Sequence, residues 1–425
     1  MKNIFKEEIL NILLFLLIII VPLQTRYFLS IYKIDNIFFE YGTIAIYATD
    51  IYIIFLIIYL FFYNLKNKLF KFNNKTKTFS ILLILFNLFL NLSLLRSINK
   101  NSSIYFNIRF FVFSCLAFLL SFIKIDKKYI KDGFICSSLI ESIIAIYQFA
   151  SQKIVANKFL GLANHFPYDP GTSVIEKSDG RFLRAYGLLP HPNILGVFLV
   201  IGFIFLCIKI LQGNIKNKYS SYLILGIIFI GIIVTFSRLS LLLLLIFFII
   251  YIFRHYFLKR EKLEVEKFLS IFCVLLSIFL IFKDLIFTRI IDSRLNNISN
   301  YERKDQYVES VNIIKNKNNF LFGIGERNYT FYIHNANNVK GVYDLKSIHN
   351  IYFLSLNELG IFGFITFIIL LLSPLLINND SDIKLVYFIL LVSGFFDHFL
   401  MTENFGIFIL MLFIGIMFSK QYKLE

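Results

Sequence analysis

The chain has no tryptophan, only four cysteines and few charges: 16% of its 425 residues are charged and 58% are hydrophobic. Each shortage excludes something. Without indole rings, any aromatic contact to a ligand must come from the 53 Phe or 24 Tyr. Cys115, Cys136, Cys207 and Cys273 fall inside apolar runs with no CxxC spacing, so they predict neither a disulfide framework nor a zinc site. The scarcity of charge excludes an ordinary soluble domain, which uses roughly 45–50% apolar residues interleaved with charge. Several catalytic signatures are also missing. There is no Walker loop, no HExxH, no DxD-like pair on the cytoplasmic side and no GxSxG elbow, so nucleotide hydrolysis and metal-dependent sugar-nucleotide chemistry are not suggested.

What is present is apolar sequence in membrane-length runs. The mean hydropathy is +0.72, and runs such as Ile44 to Tyr63, Leu223 to Phe236 and Leu239 to Phe253 approach the ~20 residues a spanning helix needs. We expect an all-α polytopic integral membrane protein of about twelve transmembrane helices. The expected spans are 9–25, 44–63, 79–95, 106–123, 133–150, 192–211, 220–236, 239–253, 268–283, 351–376, 384–399 and 404–419. Residues 1–25 are read as the first span and not as a secretory signal, because no small-x-small cleavage site follows the apolar run. The whole chain is expected to form one membrane domain. A long extracytoplasmic loop, 284–350, forms a subdomain between the ninth and tenth spans and contains short helices.

Charge sets the orientation. In a soluble protein a net charge of +16 would suggest nucleic acid as a partner; here membrane topology explains about half of it. The short segments 64–78, 124–132, 209–219 and 254–267 are rich in lysine, so the positive-inside rule makes them cytoplasmic and places both termini on that side. Ten of the twelve arginines, all but Arg254 and Arg260, then fall outside. Arginine offers a planar fork for phosphate oxygens, so the outer face has the chemistry of a phosphate site. The alternative is that lysine was used wherever no particular cation mattered.

Several outer-edge positions carry candidate chemistry. His349 stands where the charged segment re-enters apolar sequence, followed by Asn350 and, nine residues on, by Gly360 and Gly363. Continued as an ideal helix, His349, Leu356, Gly360 and Gly363 fall within about 40° of one line, which would bring a neighbouring helix close to the imidazole. Glu358 falls on the opposite face, either lining a polar space or hydrogen-bonding to another span. Arg238, after Thr235-Phe236-Ser237, either snorkels to headgroups or lines a cavity. Arg184 precedes His191-Pro192-Asn193, a helix start whose free N–H groups attract anions, although a purely structural loop fits equally. Asp397-His398, near Glu403 and Asn404, forms a polar cluster that either orients a base or is a structural hydrogen-bond group. Asp50 is a buried partner or a cavity residue. Tyr301 to Lys317 has the pattern of a helix lying on the membrane surface or capping the bundle, with Tyr307, Val308, Val311 and Ile314 on one side. Phe322-Gly323-Ile324-Gly325 reads as a turn, and no internal repeat is evident.

Together these segments resemble the O-antigen ligase and polymerase family of multi-pass bacterial membrane proteins. The resemblance rests on Arg184-Ala185-Tyr186-Gly187 through His191-Pro192-Asn193-Ile194-Leu195-Gly196, Thr235-Phe236-Ser237-Arg238, Gly323-Ile324-Gly325, His349-Asn350-x9-Gly360-x-x-Gly363 and Asp397-His398-Phe399. It covers roughly residues 180–405. It implies transfer or polymerisation of a glycan carried on undecaprenyl diphosphate, at the outer face of the cytoplasmic (inner) membrane. The acceptor would be another glycan or lipid A core. The resemblance further implies that His349 acts as general base while Arg184, Arg238 and Arg303 hold the diphosphate, with neither metal nor cofactor. Asn350, Gly360, Gly363, Glu358, Asp397 and His398 would support them. The partners implied are the lipid-linked donor, the acceptor, membrane lipid and, for a polymerase, a separate chain-length regulator; nucleic acid is not among them. The His-Asn-x9-Gly-x-x-Gly spacing leans towards ligase. The competing class is a flippase or other transporter of such glycans, although no paired halves are visible in the sequence.

Overall fold

The computed structural model describes residues 2–177, 180–215, 217–255, 264–291, 293–336, 341–342, 345–378 and 380–420, with backbone alone at 2–7, 291 and 293–300. In chain order the elements begin with α1 (Lys2–Ile20), β1 (Arg26–Ser30), β2 (Lys33–Ile34), β3 (Ile37–Phe38), β4 (Ile44–Tyr47), α2 (Ala48–Lys66), α3 (Asn74–Ser93), α4 (Lys100–Leu120) and α5 (Lys127–Ser151). They continue with β5 (Val174–Lys177), β6 (Gly180–Leu183), α6 (Pro192–Leu211), α7 (Lys218–Val234), α8 (Arg238–Phe253), α9 (Val265–Ile291) and α10 (Ser293–Lys315). The last are α11 (Lys317–Phe322), α12 (Tyr329–Ala336), α13 (Ile351–Ile377), α14 (Ser381–Ser393), α15 (Phe399–Thr402) and α16 (Asn404–Phe418).

Short polar side chains start several of these helices. Asn73, Asn99, Asp126, Asn217, Ser237 and Asn350 each accept a backbone N–H of the first turn they cap, which satisfies donors the helix itself cannot. Seven helices among the described residues, α2, α3, α4, α5, α6, α9 and α13, are long and apolar enough to cross a membrane. Residues 8–20 of α1, together with α7, α8 and α16, are apolar but shorter.

The chain divides into two compact units. The first comprises 1–25, 126–298 and 385–393. Its centre is α6, contacted by α5, α7, α8 and α9, with α1 against α5; from Ile194 to Ile208 every α6 side chain is buried. The second comprises 26–125, 299–384 and 394–425. In it α13 packs on α3, α11 and α16, and α4 on α2, α3 and α16. Phenylalanines fill that core: Phe79 stacks on Phe418 at 4.1 Å and Phe86 on Phe367 at 5.4 Å between ring centroids.

The structure corrects several expectations. The second span does not begin at 44, because Ile44–Tyr47 is a strand paired with β1 and the helix starts at Ala48. Strands β2 and β3 pair as a second hairpin, and β5 and β6 as a third. The segment 284–350, expected as a long loop with short helices, is mostly helical among its described residues, since α9 runs on to Ile291 and α10 to α12 follow. Periodicity placed His349 on the same helix line as Gly360 and Gly363. In fact α13 begins at Ile351, Asn350 is its N-cap with φ of −162°, and Gly360 breaks the helix with φ of +68°.

That break has a physical cause. A helical residue at 360 would leave the chain straight and the carbonyls of Asn357 and Glu358 bonded inside α13. With Gly360 in the left-handed region, open to glycine at little cost, those carbonyls accept the N–H groups of Ile324 and Gly325 at 3.0 Å each. Gly323 answers it with φ of +73°. A Cβ on Gly323 would lie 2.1 Å from the Glu358 carbonyl oxygen, and one on Gly360 would lie 2.5 Å from that of Leu321. The Gly323-Ile324-Gly325 turn and the Gly360 break are therefore two halves of one joint.

Candidate active site

In the first unit the loop before α6 is tied down by polar groups of α5. The Gln148 side-chain carbonyl accepts the N–H groups of Tyr186 and Gly187, and its amide donates to the Gly187 carbonyl. Glu141 accepts the Leu188 N–H at 2.8 Å. The result is a fixed Arg184. Its Nε donates to the Thr235 carbonyl and its Nη2 to Asn193 Oδ1, both at 2.8 Å, while the Ala185 N–H reaches the Val234 carbonyl. The Arg184-to-Asn193 and Thr235-to-Arg238 segments, far apart in sequence, thus form one structure. His191 caps α6 by accepting the Asn193 N–H on Nδ1, and its Nε2 meets Ser173 Oγ at 3.2 Å.

Arg238 occupies the first turn of α8 and, with Arg289 of α9, lines a crevice that also includes Ser237, Phe236 and Ile286. Burial first, and then the charges of Arg289 and Arg238, push the Arg184 guanidinium down to about 9, which leaves it charged near neutrality. Three arginines gathered in this way repel one another unless an anion joins them. Arg289 was not singled out by the sequence, where it lies in the expected loop 284–350 just beyond the ninth span; the structure extends α9 through it.

In the second unit His349 stands just before the Asn350 cap. Asn350 Oδ1 accepts the N–H groups of Tyr352 and Phe353, and its amide reaches the Phe395 carbonyl at 3.3 Å and the Tyr307 hydroxyl at 3.4 Å. The His349 N–H donates to Gln306 Oε1 at 3.3 Å. Its ring lies 5.1 Å from that of His398, centroid to centroid, and its Nδ1 is buried with no hydrogen-bond partner among the described residues. Burial, then His398, then Arg303 and Lys346 lower its basicity, with Asp397 opposing them. The imidazole is therefore neutral at physiological pH, with a lone pair available.

Asp397 is buried, and its Oδ1 accepts the N–H groups of His398 and Phe399. Tyr41 lies 6.4 Å from the His398 ring and accepts the Ser347 N–H on its hydroxyl. Neither Tyr41 nor Gln306 carried a sequence signal, since both act through the tertiary fold.

Glu358 is a structural residue here. It is 3% exposed and accepts the Tyr329 N–H at 3.0 Å. It also shares a hydrogen bond with Glu326, whose carboxyl burial and the Glu358 charge push well above the usual range. Gly360 and Gly363 do not line a face with His349; Gly360 makes the joint described above. Asp50 is an ion-pair partner, with its Oδ2 3.0 Å from Arg109 Nη2. Arg303 on α10 lines an open, largely apolar groove with Lys304, Tyr307, Val308, Val311, Asn312 and Lys315.

Fold and side chains together describe a multi-pass helical membrane protein with clustered arginines and a neutral, partly buried histidine. Residues 223–368 match the family model described as O-antigen ligase, which supports assignment of the chain to the O-antigen ligase and polymerase family and, in general, to lipid-linked glycan transfer. The matched stretch holds Arg238, Arg303, His349 and the Gly360 joint. Arg184, Asp397 and His398 lie outside it. No curated protein matches the chain.

Proposed function

We propose that the protein transfers or polymerises a glycan carried on undecaprenyl diphosphate, at the outer face of the cytoplasmic membrane, without a metal or cofactor. The observation that carries this is the neutral His349, its Nδ1 unpartnered, in a chain whose α7-to-α13 stretch matches the O-antigen ligase model. The acceptor hydroxyl oxygen attacks the anomeric carbon of the donor sugar as the bond from that carbon to the diphosphate oxygen breaks. His349 takes the hydroxyl proton, and undecaprenyl diphosphate leaves with the bonding electron pair. Positioned proton transfer of this kind contributes roughly 10²–10⁴-fold.

Arg184, Arg238 and Arg303 are proposed to meet the charge on the departing diphosphate, with Arg289 as a fourth cation. Charge developing on a leaving group is stabilised most by donors already fixed in place, and Arg184 is held by Thr235 and Asn193. A ligase is slightly favoured over a polymerase by the His-Asn-x9-Gly-x-x-Gly spacing, with a glycan or lipid A core as acceptor. For a polymerase, a separate chain-length regulator joins the donor and acceptor as a partner.

The test is reconstitution of the full chain with an undecaprenyl-diphosphate-linked oligosaccharide and a glycan acceptor. Wild type is expected to form a new covalent product, and His349→Ala to lose at least 10²-fold in rate at equal protein level. Lipid-linked glycan that crosses the bilayer without any new covalent product identifies a flippase instead. Full-rate transfer by His349→Ala removes the histidine from the chemistry.

A further inference from the structure

The residues around His349 also have the donor set of a metal site. His349, Asp397 and His398 place one ligand atom each within 4.8 Å of one another. Two details make these atoms competent ligands. Both Thr402 contacts are satisfied together when its hydroxyl donates to the His398 carbonyl at 3.2 Å and accepts from His398 Nδ1–H at 2.7 Å. In that tautomer His398 Nε2 keeps a bare lone pair, the arrangement by which a ligating histidine is usually oriented through its other nitrogen. On the other ring, His349 Nδ1 is buried and unpartnered, a cost that a cation would remove.

Two imidazoles and one carboxylate suit a borderline divalent cation of the zinc class, bound at ~2.0–2.2 Å per ligand. Donors on such a tetrahedral sphere stand about 3.4 Å apart, so a pair at the 4.8 Å limit must close by about 1.4 Å, through side-chain rotation.

We propose that His349, His398 and Asp397 bind one zinc-class divalent cation, and that the bound cation switches the transferase off by occupying the lone pair that would take the acceptor proton. The inhibitory half of this proposal rests on His349 being the base; the binding half does not. Free coordination positions on the cation are left to water.

The experiment uses the full chain in detergent, stripped with a chelator and dialysed, then titrated calorimetrically with zinc chloride. One high-affinity equivalent is expected in wild type, weakened at least 10-fold in His398→Ala and in Asp397→Asn. Cobalt(II) added to wild type is expected to give visible d–d bands of a nitrogen and oxygen site, a readout that needs no variant to fold. Glycan transfer by wild type is expected to fall with zinc and return with chelator. Equal binding by wild type and both variants, or featureless cobalt spectra, overturns the site. Zinc that binds there and leaves transfer unchanged or faster overturns the inhibition. Neither result tests the base itself, which stands or falls with transfer by His349→Ala.

Discussion

At the residue scale, Glu403 is a titrating group that ties stability to pH. It caps α16 and faces Glu40, Arg327, Arg26 and Asp397; burial first, and then Glu40, push its carboxyl up to about 7 from an ordinary 4.5. Because the folded value lies above the unfolded one, the contribution of the neutral form is fully present below about 4.5 and is lost as pH rises through 7. Detergent-solubilised wild type should lose on the order of 1 kcal/mol between pH 6 and 8, and Glu403→Gln should flatten that slope. A melting temperature that falls equally in both proteins would assign the loss to another group. His349, Asn350, Arg184 and Arg238 were legible because a polar residue at an apolar boundary needs a reason. Arg289, Gln306 and Tyr41 were not, since each joins its cluster only through the tertiary fold.

At the element scale the expected starts at 192 and 351 match α6 and α13, whereas those at 79, 106 and 133 fall five or six residues inside α3, α4 and α5, whose polar first turns were not counted as helix, and the interior of α13 was not legible. Asn and Ser at the caps, and Pro192 at the first position of α6, mark boundaries through donors that must be satisfied locally. The α13 break is different. Its apolar periodicity continues across Gly360, and the left-handed backbone there is tolerated only because the Ile324 and Gly325 amides take the released carbonyls. A local pattern does not show a partner that is more than thirty residues away. Gly360→Ala should therefore destabilise by about 1–3 kcal/mol through backbone strain alone, and by more through its contact with the Leu321 carbonyl oxygen. Thermal unfolding in detergent measures it. Gly226→Ala, at a helical position in α7 where an added Cβ would meet nothing closer than 3.7 Å, serves as the control, and equal loss in both would locate the strain elsewhere.

At the scale of the whole molecule, the described residues hold seven helices long enough to span and four shorter apolar ones at the places of eleven of the twelve expected spans, while α14 stands where the remaining one was placed. The number and orientation of crossings are a proposal about topology, testable by reporter fusion. Alkaline phosphatase joined after Lys158 should be active, and joined after Lys131 inactive. The reverse pattern would invert the assigned sidedness and move His349 to the cytoplasm. The division into two units was not legible, because the second unit is built from three separated stretches of chain.

That discontinuity bears on biosynthesis. Tyr41 lies beside His398, so one wall of the histidine cluster is synthesised near the beginning of the chain and another near its end. Until His398 has left the ribosome and inserted, no partial product carries the assembled cluster. A chain truncated before His398 is thus expected to lack the proposed transfer reaction, however much of it has already entered the membrane.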